Sequence, residues 1–95
     1  MKRVVLLVFF AACAPAGPPV VTSLDAQRAN IELADLQHGR QLLIGKCTNC
    51  HRAPMPSDHA AAEWPSKLAE MSQRAHLDMS QRLLIEKYLV TMATR

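Results

Sequence analysis

Between residues 35 and 46 the apolar side chains Leu36, Leu42 and Leu43, with the small Gly39 among them, fall on one face of a helix. Asp35 stands where an N-cap belongs. A second helix is expected over about 63–73, with Pro65 in its first turn, where a missing N–H costs nothing. Trp64, Leu68 and Met71 are spaced by four and three there, so they face the same way. The last helix begins near Asp78, which has capping-box spacing to Gln81, and carries Leu84, Ile85, Tyr88, Leu89 and Met92 on one side. A glycine inside a helix weakens it unless another element must come close. Gly39 therefore marks the place where the first of these helices should cross the last. The stretch 52–58, with Pro54 and Pro56, has to be irregular. Downstream of residue 22 no β-branched run reads as a strand, so the expected class is all-α.

Upstream the pattern changes. Residues 1–12 read as a secretory signal, with Lys2 and Arg3 at a charged start, an apolar run from 4 to 10, and Ala11-Ala12 as the small-residue exit. The run is too short to span a bilayer. Phe10-Ala11-Ala12-Cys13 looks like a bacterial lipobox, in which the cysteine becomes the lipidated N-terminus. The alternative is cleavage after Ala14 or Ala16, which leaves a free thiol in an exported protein. Residues 14–23 hold three prolines and a glycine and are expected to be an extended, semi-rigid tether rather than part of a core. The polar segment 24–33 reads as a short helix or a strap over the domain. The domain plan is therefore a signal peptide at 1–12, a lipidated cysteine and tether at 13–32, and a folded domain at 33–95.

The chemistry of the chain is concentrated in Cys47-Thr48-Asn49-Cys50-His51. CxxCH is the attachment motif of c-type haem: two thiols on one tight turn add across the two vinyl groups of a porphyrin, and the adjacent imidazole faces the iron. Cys47 and Cys50 are thus the covalent attachment points of one haem, and His51 its proximal ligand. A structural zinc site needs a second Cys or His pair at fixed spacing, and His38, His59 and His76 are scattered. A thioredoxin-type dithiol belongs at a helix start within a βαβ pattern, which is missing.

The other axial position decides between electron transfer and chemistry on a bound ligand. Met55 is four residues past His51, too near to pass the porphyrin edge at about 3.5 Å per residue. His59 barely reaches. Met71 has both the reach and a helix face shared with Trp64, and is the preferred iron ligand. Its competing role is that of a core methionine, the role expected of Met79 and Met92. His76 and an open site are the remaining options.

Charge narrows the partners. Removing Lys2 and Arg3 from the 11 basic residues leaves nine against 8 acidic ones, and two propionates tip the balance negative. That balance argues against nucleic acid as a partner. Arg40, Lys46 and Arg52 flank the motif and form either a docking ring for an acidic partner or simply a solvated face. A domain this small sits near the limit of a self-sufficient core, which a covalently held porphyrin would relieve.

Gly39 eight residues before CxxCH, then Pro54, Trp64, Met71 and the closing Ile85-Glu86-Lys87-Tyr88-Leu89, resemble in this order the small class I c-type cytochromes of bacteria. The resemblance covers roughly 35–90. It implies a cytochrome c fold, with the first and last helices crossing around one haem and His51 and Met71 on the iron. It further implies that His51 donates its second ring N–H to a carbonyl of the 54–56 region. Trp64 would pack at the haem edge or bond a propionate, or else serve as a plain core anchor. The function implied is single-electron transfer in the periplasm, without enzymatic activity, between dehydrogenases, other cytochromes or a terminal oxidase. The competing readings are a haem sensor or enzyme with an open sixth site, a subunit of a periplasmic oxidoreductase complex, and a haem-free dithiol oxidoreductase.

Overall fold

A computed structural model describes residues 17–47 and 53–95. The signal segment, Cys13, and residues 48–52 with Cys50 and His51 lie outside the described residues. The described chain folds into helices α1 (Ser23–Ala29), α2 (Leu33–Cys47), α3 (Trp64–Arg74) and α4 (Met79–Ala93), with single 3₁₀ turns at Pro56–Asp58 and Ala61–Glu63. Among the described residues there is no strand, so the all-α class expected from the sequence holds.

Local chemistry accounts for the helix ends. At α1 the Thr22 backbone N–H donates to the Asp25 carboxylate at 2.8 Å, while the Asp25 N–H reaches the Thr22 hydroxyl oxygen at 3.4 Å. Val21 and Ala26, on either side of this capping box, are both buried as a hydrophobic staple. The helix closes at Asn30, in the left-handed region at φ 54°, a conformation asparagine tolerates. Helix α2 starts two residues earlier than its pattern indicates. Asp35 is therefore not the cap but a first-turn acid, its N–H bonded to the Glu32 carbonyl at 3.0 Å. There it complements the positive end of the helix dipole. At α4 the capping box forms as expected: Gln81 N–H donates to Asp78 at 2.8 Å, and Asp78 N–H to the Gln81 side chain at 3.1 Å.

Helices α2 and α4 make the most extensive contact of the fold, and Gly39 explains how. A Cβ at position 39 would stand 2.1 Å from the Leu84 carbonyl oxygen and 3.0 Å from the Tyr88 Cβ. The two backbones touch here. The pair is antiparallel: Asp35 lies 3.7 Å from Lys87 at one end, and at the other the charge of Lys46 is near enough to help lower the Asp78 carboxyl. Leu36 and Leu43 from α2, Trp64 and Leu68 from α3, and Ile85, Tyr88 and Leu89 from α4 are completely excluded from solvent. Each such side chain contributes about 1.5–3 kcal/mol.

The segment expected to be a free tether departs from that expectation. Residues 17–22 are extended, yet they lie along the helices and are gripped carbonyl by carbonyl. Arg40 Nε donates to Pro18 at 3.0 Å, Tyr88 Oη to Pro19 at 2.6 Å, and the Arg95 guanidinium to Val20 at 3.4 Å. Proline lacks an N–H but keeps its carbonyl acceptor, so a Pro-Pro stretch suits side-chain donors. Asp25, buried beneath α1, then takes Arg28 at 3.3 Å and Arg95 at 3.1 Å, and Arg28 continues to Thr94 at 2.8 Å. Residues 18–32 are thus held against the helices that follow. Burial pushes the Tyr88 phenol up to about 12.

Two outcomes follow from this packing. Gly39→Ala should lower stability by about 1–3 kcal/mol, because backbone rather than a flexible side chain must yield. Gly45, where a Cβ would meet nothing within 4 Å, is the control; Gly45→Ala should raise stability by up to about 1 kcal/mol. Urea midpoints of the pair decide it, and equal midpoints would remove the close-contact account. For Asp25, hydrogen bonds from Thr22, backbone first, hold the carboxyl below its usual range against the opposing effect of burial, with Arg28 and Arg95 assisting. A depressed folded pKa gives stability present above the unfolded value, about 3.9, and lost as pH falls through the folded one. Asp25→Asn should therefore be less stable than the parent at neutral pH, with the gap narrowing in acid. A gap that stays constant from pH 7 to acid would be inconsistent with this role.

Candidate functional site

The antiparallel α2/α4 pair determines where the motif begins. Cys47 is the last residue of α2 and lies at the end where α4 starts, since Lys46 faces the cap residue Asp78. Cys47 is half-buried and packs against the core. Burial pushes its thiol up, and it sits at the negative end of a helix dipole. Both effects oppose the lowered pKa that a redox-active thiolate needs.

The chain re-emerges at Ala53, buried, and runs through a loop organised by Trp64. The indole is fully buried and its Nε1–H donates to the Pro56 carbonyl at 3.0 Å. Asp58 closes the turn by accepting the Met55 N–H at 2.9 Å. His59 lies edge-on to Trp64 at 4.9 Å between ring centroids, with its Nδ1 3.6 Å from a Glu63 carboxylate oxygen. Trp64 is thus the anchor of the loop that follows the motif, and its one donor is already engaged by protein.

Met71 stands near the end of α3, half-buried, and touches the same core as Cys47. Its predicted face-mates Trp64 and Leu68 are fully buried, and Ser72 rather than Met71 continues the buried stripe. The sulfur therefore sits at the margin of the core. Helix α3 closes at His76, held in the left-handed region at φ 55° while Leu77 N–H reaches back to the Ser72 carbonyl at 3.0 Å. A β-carbon in that conformation costs roughly 1–2 kcal/mol. His76 and His38 are exposed. Of the charges flanking the motif, Lys46 is exposed, Arg40 is committed to the Pro18 carbonyl, and Arg52 lies outside the described residues.

The C-terminal ends of α2 and α3 and the start of α4 are gathered together by this topology. That end carries uncovered apolar surface: Met79 is 63% exposed and Leu83 46%, one helical turn apart on α4. Leu42, Leu77, Met71 and Cys47 are half-buried around the same core. An open cleft of about 420 Å³ lies elsewhere, between α1 and the first residues of α2, lined by Ala26, Gln27, Asn30 and Glu32 among others. It contains no residue of the motif.

None of the N-terminal contacts was singled out from the sequence as functional. The signal was present at Thr22-Ser23-Leu24-Asp25, a capping-box spacing preceded by the apolar Val21.

Trp64→Phe keeps most of the buried ring but deprives the Pro56 carbonyl of its donor, so stability should fall by about 1 kcal/mol. Thermal melts measure this. Should the purified protein carry a haem at the motif, its spectrum should stay unchanged in the same variant if Trp64 acts only as the loop anchor; a shifted spectrum would make Trp64 a direct neighbour of that group.

No protein-family profile matches this chain, and searches of curated proteins and of solved structures return no significant match.

Proposed function

We propose that this chain is a monohaem c-type cytochrome that transfers single electrons in the bacterial periplasm and is anchored there through a lipid on Cys13. The observation that carries the reading is the motif Cys47-Thr48-Asn49-Cys50-His51 in a small helical chain. The residues around it suit the group. Two thiols, an imidazole and a thioether make up the donor set of such sites, and the uncovered apolar surface at Met79 and Leu83 suits a flat apolar ring held nearby.

Cys47 and Cys50 would hold the group covalently, and His51 and Met71 would ligate its iron. Bound there, haem supplies a one-electron couple at iron. The protein's own residues set its conditions. A carbonyl of the 54–56 region, whose Pro56 member already accepts from Trp64, would receive the second His51 N–H and so hold its tautomer. The neutral, soft Met71 sulfur would favour the reduced state and raise the potential relative to a second imidazole. His59 is engaged by Trp64 and Glu63, which weighs against it as the sixth ligand. A carrier of this kind cycles without losing a ligand and exchanges electrons with dehydrogenases, other cytochromes or a terminal oxidase.

The test is the absorption spectrum of the native exported protein, oxidised and dithionite-reduced, with a pyridine haemochrome assay after acid-acetone extraction of a second portion. Pigment should resist extraction and give a low-spin spectrum with a sulfur-to-ferric charge-transfer band. Met71→Ala should abolish that band and admit carbon monoxide, whereas His59→Ala should leave both unchanged. A native protein that is high-spin or binds carbon monoxide readily would instead be a sensor or enzyme with an open site. Pigment-free protein from cells with haem-ligation machinery would overturn the cytochrome reading altogether.

A further inference from the structure

Residues 18–20 are gripped in order along the molecule. The Pro18 carbonyl accepts from Arg40, midway along α2, the Pro19 carbonyl from Tyr88, which lies beside Gly39, and the Val20 carbonyl from Arg95, beyond the end of α4. Because α4 runs antiparallel to α2, following this strap backward from Val20 to Pro18 leads away from the end of α4 and toward the Cys47 end. Seven residues of α2, about 10 Å of helix, separate Arg40 from Cys47. From Gly17 to Cys13 only four residues remain, a reach of about 14 Å at full extension. Ala14 and Gly17 each precede a proline, which biases them toward extended backbone and against a reversal of direction. Heading and reach together bring Cys13 to the end of the molecule where the motif begins.

That end also carries Met79, 63% exposed, and the exposed bases Lys46 and Arg74 at the ends of α2 and α3. At the opposite end the bases are already engaged, since Arg28 and Arg95 both bind Asp25. We propose that the strap turns the Cys47 end of the domain toward the bilayer, with Met79, Lys46 and Arg74 at the headgroup boundary. A contact this small is weak by itself, but a tether of four residues makes it intramolecular and keeps the surface at hand. The inference rests on the lipid at Cys13 and goes beyond it: a lipid fixes how far the domain lies from the membrane, whereas the gripped strap fixes which end faces it.

The lipidated full-length protein, reconstituted into vesicles of phosphatidylethanolamine and phosphatidylglycerol, tests it. A photoreactive benzoylphenylalanine is placed at position 79 or, for comparison, at position 24 on α1, where Leu24 is 73% exposed. Lipid adducts, read by mass spectrometry, should be several-fold more abundant from position 79, although position 24 is the more exposed. In Arg40→Ala/Tyr88→Phe the Pro18 and Pro19 carbonyls lose their donors while the buried ring at position 88 is kept, and the ratio should fall toward one. Arg40→Ala alone should move it in the same direction. A ratio of one or below in the parent, on protein whose mass includes the diacylglyceryl group, would overturn the orientation while leaving the anchor intact. A ratio unchanged in both variants would overturn the part assigned to the strap. Protein that lacks the diacylglyceryl group and fails to sediment with vesicles would remove the anchor, and the orientation with it.

Discussion

The fold depends on a contact made possible by a missing side chain. At Gly39 the backbone of α2 lies directly on the Leu84 carbonyl and the Tyr88 β-carbon, and no larger residue leaves room for that approach. The antiparallel register follows from it, with Asp35 opposite Lys87 and Lys46 opposite Asp78. Cys47, at the end of α2, is thereby brought to the start of α4 and the end of α3. A displacement at Gly39 would move the first cysteine of the motif relative to the surface that surrounds it. The glycine is remote from the chemistry and yet sets its position.

The core assembled on this contact is small, and two devices extend it. Trp64 fills the space between α3 and the loop after the motif, and its indole N–H satisfies a carbonyl that the prolines leave without a regular partner. At the other end, the strap of residues 17–22 and α1 cover the C-terminal part of α4. Here buried Asp25 links Thr22, Arg28 and Arg95. Among the described residues no buried side-chain polar atom lacks a partner. Carboxylate and phenol are both excluded from water, and each has donors or acceptors to match. What a domain of this size lacks in apolar area it gains through these long-range hydrogen bonds.

The two ends of the molecule consequently differ in character. One is closed by the strap and its arginines; the other, around Cys47, carries exposed Met79 and Leu83 and a methionine sulfur at the margin of the core. The one-electron carrier proposed above would use the second of these ends, where the motif begins.

Much of this was legible from local pattern. Asp78 with Gln81, Pro65, and Gly39 within its apolar stripe each encode a decision made within one or two turns of helix, and the helices formed where they said. CxxCH is legible for the same reason, its chemistry being contained in five adjacent residues. The strap was not. An extended proline segment has no periodicity, and its donors Arg40, Tyr88 and Arg95 are 22, 69 and 75 residues away. Arg40 reads equally well as a docking charge until its partner is known. The 64, 68, 71 spacing likewise cannot tell whether Met71 or Ser72 completes the buried stripe, because helical phase alone leaves a residue at the edge of a face undetermined. The sequence by itself therefore determined the three helices after residue 33, the cap of α4 and the motif. Only the tertiary structure decided where the strap lies and which side chains hold it, because hydrogen bonds between distant residues exist only once the backbone has brought them together.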